Sequence, residues 1–383
     1  MRVFFDATAI PAQPTGVGTY VHSLLPLLDA SDDVTLKVAV REDDAARYCE
    51  FLPGSELLVV QLRSRWRRLV WEQTGLARAA GSWDADLIHC PHYTMPLGTR
   101  IPRVVVFHDM TFFDTPEMHD AIKVRMFRTF MRIAVRRCAR IVAVSNTTRG
   151  EAVTRLGVDP ERVDVVPHGI DLGPYEGLRS GRLAEVRTRY SINGPFALYL
   201  GTIEPRKNLP RLIDAYVSLR AAGTIEHKLV LAGRMGWKPE SFEQALDSAR
   251  RAGVGDDIVQ LGYVDEADKP ALLGAADVFA YVSIAEGFGL PVLEAMAAGT
   301  AVLTSNVSAT AEVAGDAALT VDPGDTERIS AGLERLLGDV SIRDDLVSRG
   351  HARTHRYSWE HAARLTVEAY EQTLRRSGSL PVR

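Results

Sequence analysis

The chain has 383 residues, 46% of them hydrophobic and 25% charged, and carries a net charge of −4. That balance fits a globular protein of two domains of roughly 150–200 residues each and argues against a general polyanion binder. Three widely spaced cysteines, Cys49, Cys90 and Cys138, indicate neither a disulfide framework nor a zinc site and fit a reducing compartment. The opening MRVFFDATAIPAQPTG has too short an apolar run for a signal peptide and contains Asp6. No apolar segment reaches the roughly 18 residues of a membrane span, so the expected location is cytoplasmic.

Short apolar runs alternate with longer helical patterns, the signature of α/β layers around mostly parallel sheets. In the first half RVFFDA, TLKVAV, DLIHC, RVVVFHD, RIVAVS and VDVVPHG read as strands. PTGVGTYVHSLL follows the first of them and opens a helix, where Gly16 and Gly18 let backbone amides approach a phosphate. A dinucleotide fingerprint needs a third glycine at position 21, and Val21 stands there, so this G-x-G is a weak signal. Asp84 and Asp86 resemble a metal-binding D-x-D, yet they precede DLIHC, on the rim away from ligands. His89 and His92 flank Cys90 with no second ligand cluster to complete a zinc site. His108 and Asp109 lie just past RVVVF on the carboxyl rim, where a histidine either donates to a sugar oxygen or serves the core.

Residues 122–140 hold seven basic residues and no acid, with Arg125, Arg128, Arg132 and Arg136 at helical spacing beside Phe127, Phe130, Met131 and Ile133. RSRWRRLVW, residues 63–71, adds a second basic aromatic patch. Such a helix either docks on anionic lipid headgroups or turns a solvated basic face away from a packed core. Nucleic acid is not an expected partner.

HGIDLGPYEGLRSGRLAEVRTRYSINGP, rich in glycine and charge, reads as a linker. After it FALYLG, HKLVLAG, DIVQLGYV, DVFAYVS, AVLTS and AALTVD read as strands of a second half. In YLGTIEPRKNL, Arg206 and Lys207 follow a strand. Two adjacent cations can neutralise a diphosphate, arginine as a fork and lysine as a point charge; the alternative is a charged turn before a helix. AEGFGLPVLEAMAAGTAVLTS sets Glu286 and Glu294 eight positions apart. Pro291 suits a first helical position, so a helix is expected from there to about Gly299, with Glu286 in the loop and Glu294 in the first turn. Carboxylates accept hydrogen bonds from sugar hydroxyls, and amides at a helix start favour anions. The bland alternative is a solvated loop acid and a helix-dipole complement worth ~0.3–1 kcal/mol. Gly287 and Gly289 weigh towards a ligand, because they permit close backbone approach. The final stretch, YSWEHAARLTVEAYEQTLRRS, has Ala362, Leu365, Ala369, Tyr370 and Leu374 at helical spacing and reads as a helix packing on the first domain.

The ordered series VAVSNTTRGEAV, VPHGID, LYLGTIEPRKNL, LVLAG, LGYV, AEGFGLPVLEAMAAGTAVLTSN and AEVAGDAALTVDP resembles the retaining glycosyltransferases of the large family 4, group 1 type, which includes bacterial mannosyl- and glucosyltransferases. The likeness spans nearly the whole chain and is strongest from about residue 140 to 325. It implies the GT-B fold, two Rossmann-like doubly wound α/β domains facing across a cleft. Residues 1–172 would form the acceptor-side domain, completed by the helix 358–376, and residues 173–357 the nucleotide-sugar domain. It also implies that Arg206 and Lys207, after Gly201, hold the donor diphosphate and that Glu294 holds the ribose. Glu286 would hold the sugar with the amides of Phe288 and Gly289, in a loop completed by Gly287 and Leu290. His108 would contact the donor sugar and join Glu286 as a catalytic residue, with Gly16 and Gly18 near phosphate or acceptor.

The same likeness implies no metal and no cofactor, retention of anomeric configuration, and front-face attack by the acceptor hydroxyl with the departing phosphate helping to take its proton. GTIEPRKNL resembles members that use GDP-mannose. The expected reaction therefore moves mannose from GDP-mannose to a hydroxyl of a glycan or lipid-linked acceptor, with peripheral contact to an anionic membrane through residues 122–140. There are two departures: His168 stands where asparagine is commoner, and NVSATAEVAG lacks the usual glycine pair and proline before Glu312. A sugar-nucleotide epimerase on the same fold and a non-catalytic nucleotide-sugar-binding protein are the alternative readings. The incomplete glycine fingerprint disfavours an NAD-dependent dehydrogenase.

Overall fold

A computed structural model of the protein describes residues 1–10, 16–62 and 64–376. Residues 11–15, which precede Gly16, Arg63 of the first basic patch and Ser377 at the end of the final stretch lie outside those described. The chain forms two compact units, Met1–Gly169 with the segment from Ser358, and Ile170–Tyr357.

The first unit contains a seven-stranded sheet of β1 (Arg2–Asp6), β2 (Thr35–Arg41), β3 (Glu56–Val60), β4 (Leu87–Cys90), β5 (Arg103–Phe107), β6 (Arg140–Ala143) and β7 (Val163–Val165), in the order β3-β2-β1-β4-β5-β6-β7. The second contains a six-stranded sheet of β8 (Phe196–Leu200), β9 (Lys228–Ala232), β10 (Ile258–Gly262), β11 (Val278–Tyr281), β12 (Ala301–Ser305) and β13 (Leu319–Val321), in the order β10-β9-β8-β11-β12-β13. Every pairing is parallel, with Val3 opposite both Leu36 and Leu87 in one sheet and Val278 opposite both Ala197 and Ala301 in the other. Parallel strands covered on both faces need uninterrupted apolar runs, which is why FALYL and VFAY are buried throughout. Chain order reverses beside β1 and beside β8, so the loops leaving β8 and β11 open at a topological switch point.

Two sequence expectations change. The edge strand β3 was not anticipated, although LLVV within it is a continuous apolar run; the strand is only partly buried and lacks a clean alternation. The stretch read as a linker holds the helix Ser180–Arg189 in the second unit. Only Val186 of that helix is buried, so its apolar pattern is faint. A distant carboxylate holds it instead. Asp268, with a fully buried side chain, accepts from Arg182 at 2.5 Å, from Arg189 at 2.9 Å and from the Tyr190 hydroxyl at 2.9 Å. As expected, the D-x-D acids sit at the amino edge of β4, where Asp86 accepts the Arg2 amide at 2.7 Å.

The last helix, Trp359–Arg376, packs on the first unit, as its spacing suggested. Its anchors meet a row of buried histidines. The Tyr370 hydroxyl pairs with His89 Nδ1 at 2.8 Å, and the Tyr20 hydroxyl lies 3.4 Å from His89 Nε2. Trp359 lies 5.6 Å from the His168 ring, which stacks at 5.7 Å on His108. Burial pulls the pKa of His89 down to about 3, and it lowers those of His108 and His168 as well.

Two outcomes follow for stability. Asp268→Ala should destabilise the second unit in denaturant unfolding, because Arg182, Arg189 and the Tyr190 hydroxyl lose the acceptor they share; an unchanged midpoint would remove Asp268 as the anchor. The histidines act on the first unit through pH. Their folded pKa values lie below the unfolded value near 6.5, so the folded state is penalised as pH falls below about 6.5, where only the unfolded chain takes up protons. The loss continues until the folded pKa values are reached, about 3 for His89, and approaches ~1.4 kcal/mol per pH unit for each histidine. Thermal unfolding should shift down between pH 7.5 and 5.5, and less so in His89→Asn.

Candidate functional site

Neighbouring strands bring the charged residues of the second unit together. After β8 the chain turns through Pro205–Lys207, closed by the Lys207 amide on the Glu204 carbonyl at 3.0 Å. Asn208 then adopts a left-handed conformation, φ 62°, and its side-chain amide donates to the carbonyls of Val282 (3.0 Å) and Pro323 (2.7 Å). Asparagine tolerates that φ better than most residues, and here it ties together the loops after β8, β11 and β13.

Glu286, in the loop after β11, is the hub. Its Oε2 accepts from Arg206 at 2.5 Å and its Oε1 from Lys207 Nζ at 2.6 Å and from the Tyr281 hydroxyl at 2.9 Å. Lys207 Nζ also reaches the Tyr281 hydroxyl at 2.5 Å. The other end of the Arg206 guanidinium bonds Glu204 at 2.6 Å, and Arg206 donates to the Ala285 carbonyl at 2.8 Å. Only 9% of the Glu286 side chain is exposed. Burial pushes its carboxyl up, but Arg206 and Lys207 outweigh that and hold it ionised, at about 2. Burial and the neighbouring Arg206 pull the Lys207 ammonium down, and the Glu286 and Glu204 carboxylates oppose this. Two carboxylates and two cations make a neutral set, so an incoming anion meets cations that already have partners.

The glycines are structural parts of this rim. A Cβ on Gly233, at φ 148°, would lie 1.8 Å from the Gly201 carbonyl oxygen, so the chains leaving β8 and β9 pass in contact only because no side chain intervenes. Gly289, at φ 114°, caps the helix Leu290–Ala297. Phe288 is buried edge-on against Tyr357 at 5.7 Å, and Gly287 and Leu290 complete the loop. The helix starts one residue before Pro291, so Glu294 is its fifth residue and lies beyond the first turn. Burial raises the Glu294 pKa, Lys269 opposes the shift and Glu266 adds to it. Among the described residues its carboxyl makes no hydrogen bond. Ser308, in the stretch without the usual glycine pair, still has φ 59°, and its hydroxyl accepts the Glu286 amide at 3.3 Å.

Arg206, Lys207 and Glu286 thus converge, whereas His108, Gly16 and Gly18 belong to the first unit. His108 is buried, and its Nε2 pairs with the Pro91 carbonyl at 2.7 Å. Asp109 caps the turn that follows, accepting from the Thr111 amide at 3.1 Å and hydroxyl at 2.8 Å. Gly16 opens the helix Gly16–Asp29 beside empty space, and Gly18 and Val21 are buried in it. Sequence reasoning missed Glu204, Tyr281 and Asn208. An acid two positions before Arg206 could have flagged Glu204; Tyr281 ends a buried apolar strand and carries no local signal. Among the described residues no group of three or more His, Cys, Asp or Glu side chains could hold a metal ion, and no helix is long and apolar enough to cross a membrane.

Two family models match the chain, Glycosyltransferase Family 4 over residues 14–173 and Glycosyl transferases group 1 over residues 187–353. O-antigen chain mannosyltransferase B of Escherichia coli is 31% identical over 97% of this chain and 100% of its own length. Phosphatidyl-myo-inositol mannosyltransferase of Mycolicibacterium smegmatis is 30% identical over 75% of this chain and 71% of its own. Among solved structures, Anabaena Alr3699/HepE in complex with UDP and glucose superposes with a TM-score of 0.75 at 18% identity, covering 97% of this chain and 99% of that one. WaaG, a glycosyltransferase involved in lipopolysaccharide biosynthesis, superposes with a TM-score of 0.74 at 19% identity, covering 97% and 99%. The parallel sheets of both units and the near-complete alignments carry one conclusion: this chain belongs to the family 4, group 1 glycosyltransferases and is a glycosyltransferase of the GT-B fold.

Proposed function

We propose that the protein is a retaining, metal-independent transferase that moves mannose from GDP-mannose to a hydroxyl on a glycan or lipid-linked acceptor. The observation that carries the donor assignment is the Glu286 cluster, an ionised carboxylate and two cations at the switch point of the second sheet. The mannose assignment is supported by the full-length likeness to an O-antigen chain mannosyltransferase. In this reading Arg206 and Lys207 receive the diphosphate and Glu294, with no hydrogen bond of its own among the described residues, accepts from the ribose hydroxyls. Glu286 and the amides of Phe288 and Gly289 receive the sugar. Gly201, Gly287 and Leu290 shape that pocket, and the reading assigns His108 to the donor sugar and Gly16 and Gly18 to phosphate or acceptor.

Transfer breaks the bond between the anomeric carbon and the diphosphate oxygen and forms one to the acceptor oxygen on the same face. The acceptor proton passes to the departing phosphate. Diphosphate binding exchanges partners within the cluster: phosphate oxygens replace Glu286 on the two cations, and the released carboxylate turns to the sugar hydroxyls. The exposed free thiol of Cys49 supports a reducing, cytoplasmic location.

Three outcomes test this. Replacing Arg206 and Lys207 together with alanine should weaken binding of the nucleotide sugar by about a hundredfold or more, in line with the loss of charge-assisted contacts; unchanged affinity would remove them from the site. Glu286→Gln should slow transfer by about 10²–10³ while bare nucleoside diphosphate binds at least as tightly as before, because a competing carboxylate is gone. Full activity in that variant would exclude Glu286 from the chemistry. Finally, a thermal-shift series with GDP-, UDP-, ADP- and dTDP-sugars should show selective stabilisation by GDP-mannose, unaffected by EDTA. Stabilisation by another donor would correct the base or the sugar, and loss with EDTA would correct the metal independence.

A further inference from the structure

Helix Ala121–Arg137 of the first unit has two faces. Val124, Met131, Ala134 and Val135 are buried in the core. Arg125, Arg128, Thr129 and Arg132, one turn apart on another face, line a groove of about 580 Å³ with Pro116 and Glu117. The guanidiniums are held in direction. Arg128 Nε donates to the Phe112 carbonyl at 2.7 Å, and the guanidiniums of Arg128 and Arg132 each lie 5.3 Å from the centre of the Phe113 ring.

Among the described residues no salt bridge neutralises these cations. The helix contains no acid, and among the described residues none of the three arginines forms an ion pair. Glu117 is the acid in the groove lining. Like charges three and four residues apart on a helix repel, and here the repulsion is retained while the side chains are fixed. Oriented guanidinium forks match the oxygens of a phosphate group.

A membrane surface fits less well. A helix that lies in a bilayer interface needs its apolar face free, and here that face is spent on the core, leaving Ile122 as the large exposed apolar side chain of the helix. The helix that carries the groove also packs, through another of its faces, towards His108. Phe127, next to Arg128, packs edge-on to His92 at 5.2 Å, and His92 lies 6.4 Å from the His108 ring.

We infer that this groove binds a phosphate or diphosphate ester, the charged end of the acceptor. The inference deepens the proposed transfer reaction and rests on it for the word acceptor; the anion site stands on the arginines alone. The test is calorimetric titration of inorganic pyrophosphate into the full chain. The donor site is kept out of play by saturating nucleoside diphosphate or, if none binds, by the Arg206→Ala/Lys207→Ala variant. Saturable binding is expected, weakened at least tenfold in Arg128→Gln/Arg132→Gln and several-fold in Arg125→Gln. Arg125 is exposed and makes no contact the fold needs, so the single variant guards against a folding artefact. Nucleotide-sugar binding should be unchanged in both variants; its absence from the wild type would sink the transfer reading and leave the anion site standing. Pyrophosphate binding that survives both variants would overturn the inference. So would no pyrophosphate binding together with co-sedimentation on vesicles containing 30% phosphatidylglycerol, which would make the face a lipid-contact surface.

Discussion

A carboxylate withdrawn from water has to be compensated where it stands, and that requirement organises the second unit around Glu286. Its partners come from one loop and one strand end, Arg206 and Lys207 after β8 and Tyr281 at the end of β11. They meet because β8 and β11 are parallel neighbours whose carboxyl ends point the same way. Asn208 fixes the register of the loops by bonding two carbonyls from elsewhere on the rim, and the contact of Gly201 with Gly233 fixes how closely they can run. Removing either cation would leave a buried charge part-compensated, which costs more than the pair contributes when intact.

The two glutamates of the E-x₇-E element are chemically different. Glu286 is forced into its ionised form by two cations, whereas burial pushes Glu294 the other way with one cation, Lys269, to oppose it. Acids in opposed environments are suited to opposed tasks. The ionised one can follow a charge that moves during reaction, and the other offers a fixed acceptor to neutral hydroxyls.

Much of this was legible in the sequence. All six strands of the second sheet were recognisable as short apolar-rich runs, continuous in FALYL and VFAY and interrupted by Gln260 in β10, and the motif residues could be placed on the rim because each follows a strand. What escaped were relations rather than residues. The pairing of Arg206 with Glu286 joins positions 80 apart, and that of Arg189 with Asp268 joins positions 79 apart, so neither leaves a local trace. Hence two cations expected to await a phosphate are already engaged, and a charged stretch expected to be a linker is partly a helix. The strand β3 was missed although its LLVV run is a strand signal; its partly buried edge position gives no alternation to support that run. The basic helix was noticed, but its sequence could not tell that Phe113, outside it, orients two of its arginines.

The neutrality of the Glu286 cluster bears on how fast a ligand arrives. Cations within 2.6 Å of their carboxylates present an approaching anion with compact dipoles rather than bare charges, and a dipole field fades well inside a Debye length of about 8–10 Å. Capture at this rim gains little from electrostatic steering, so its association rate is insensitive to salt and discrimination falls on the partner exchange after contact. The uncompensated arginines of the first unit have the opposite property: their attraction reaches into solution. One molecule thus carries a long-range field and a contact-range site on separate units.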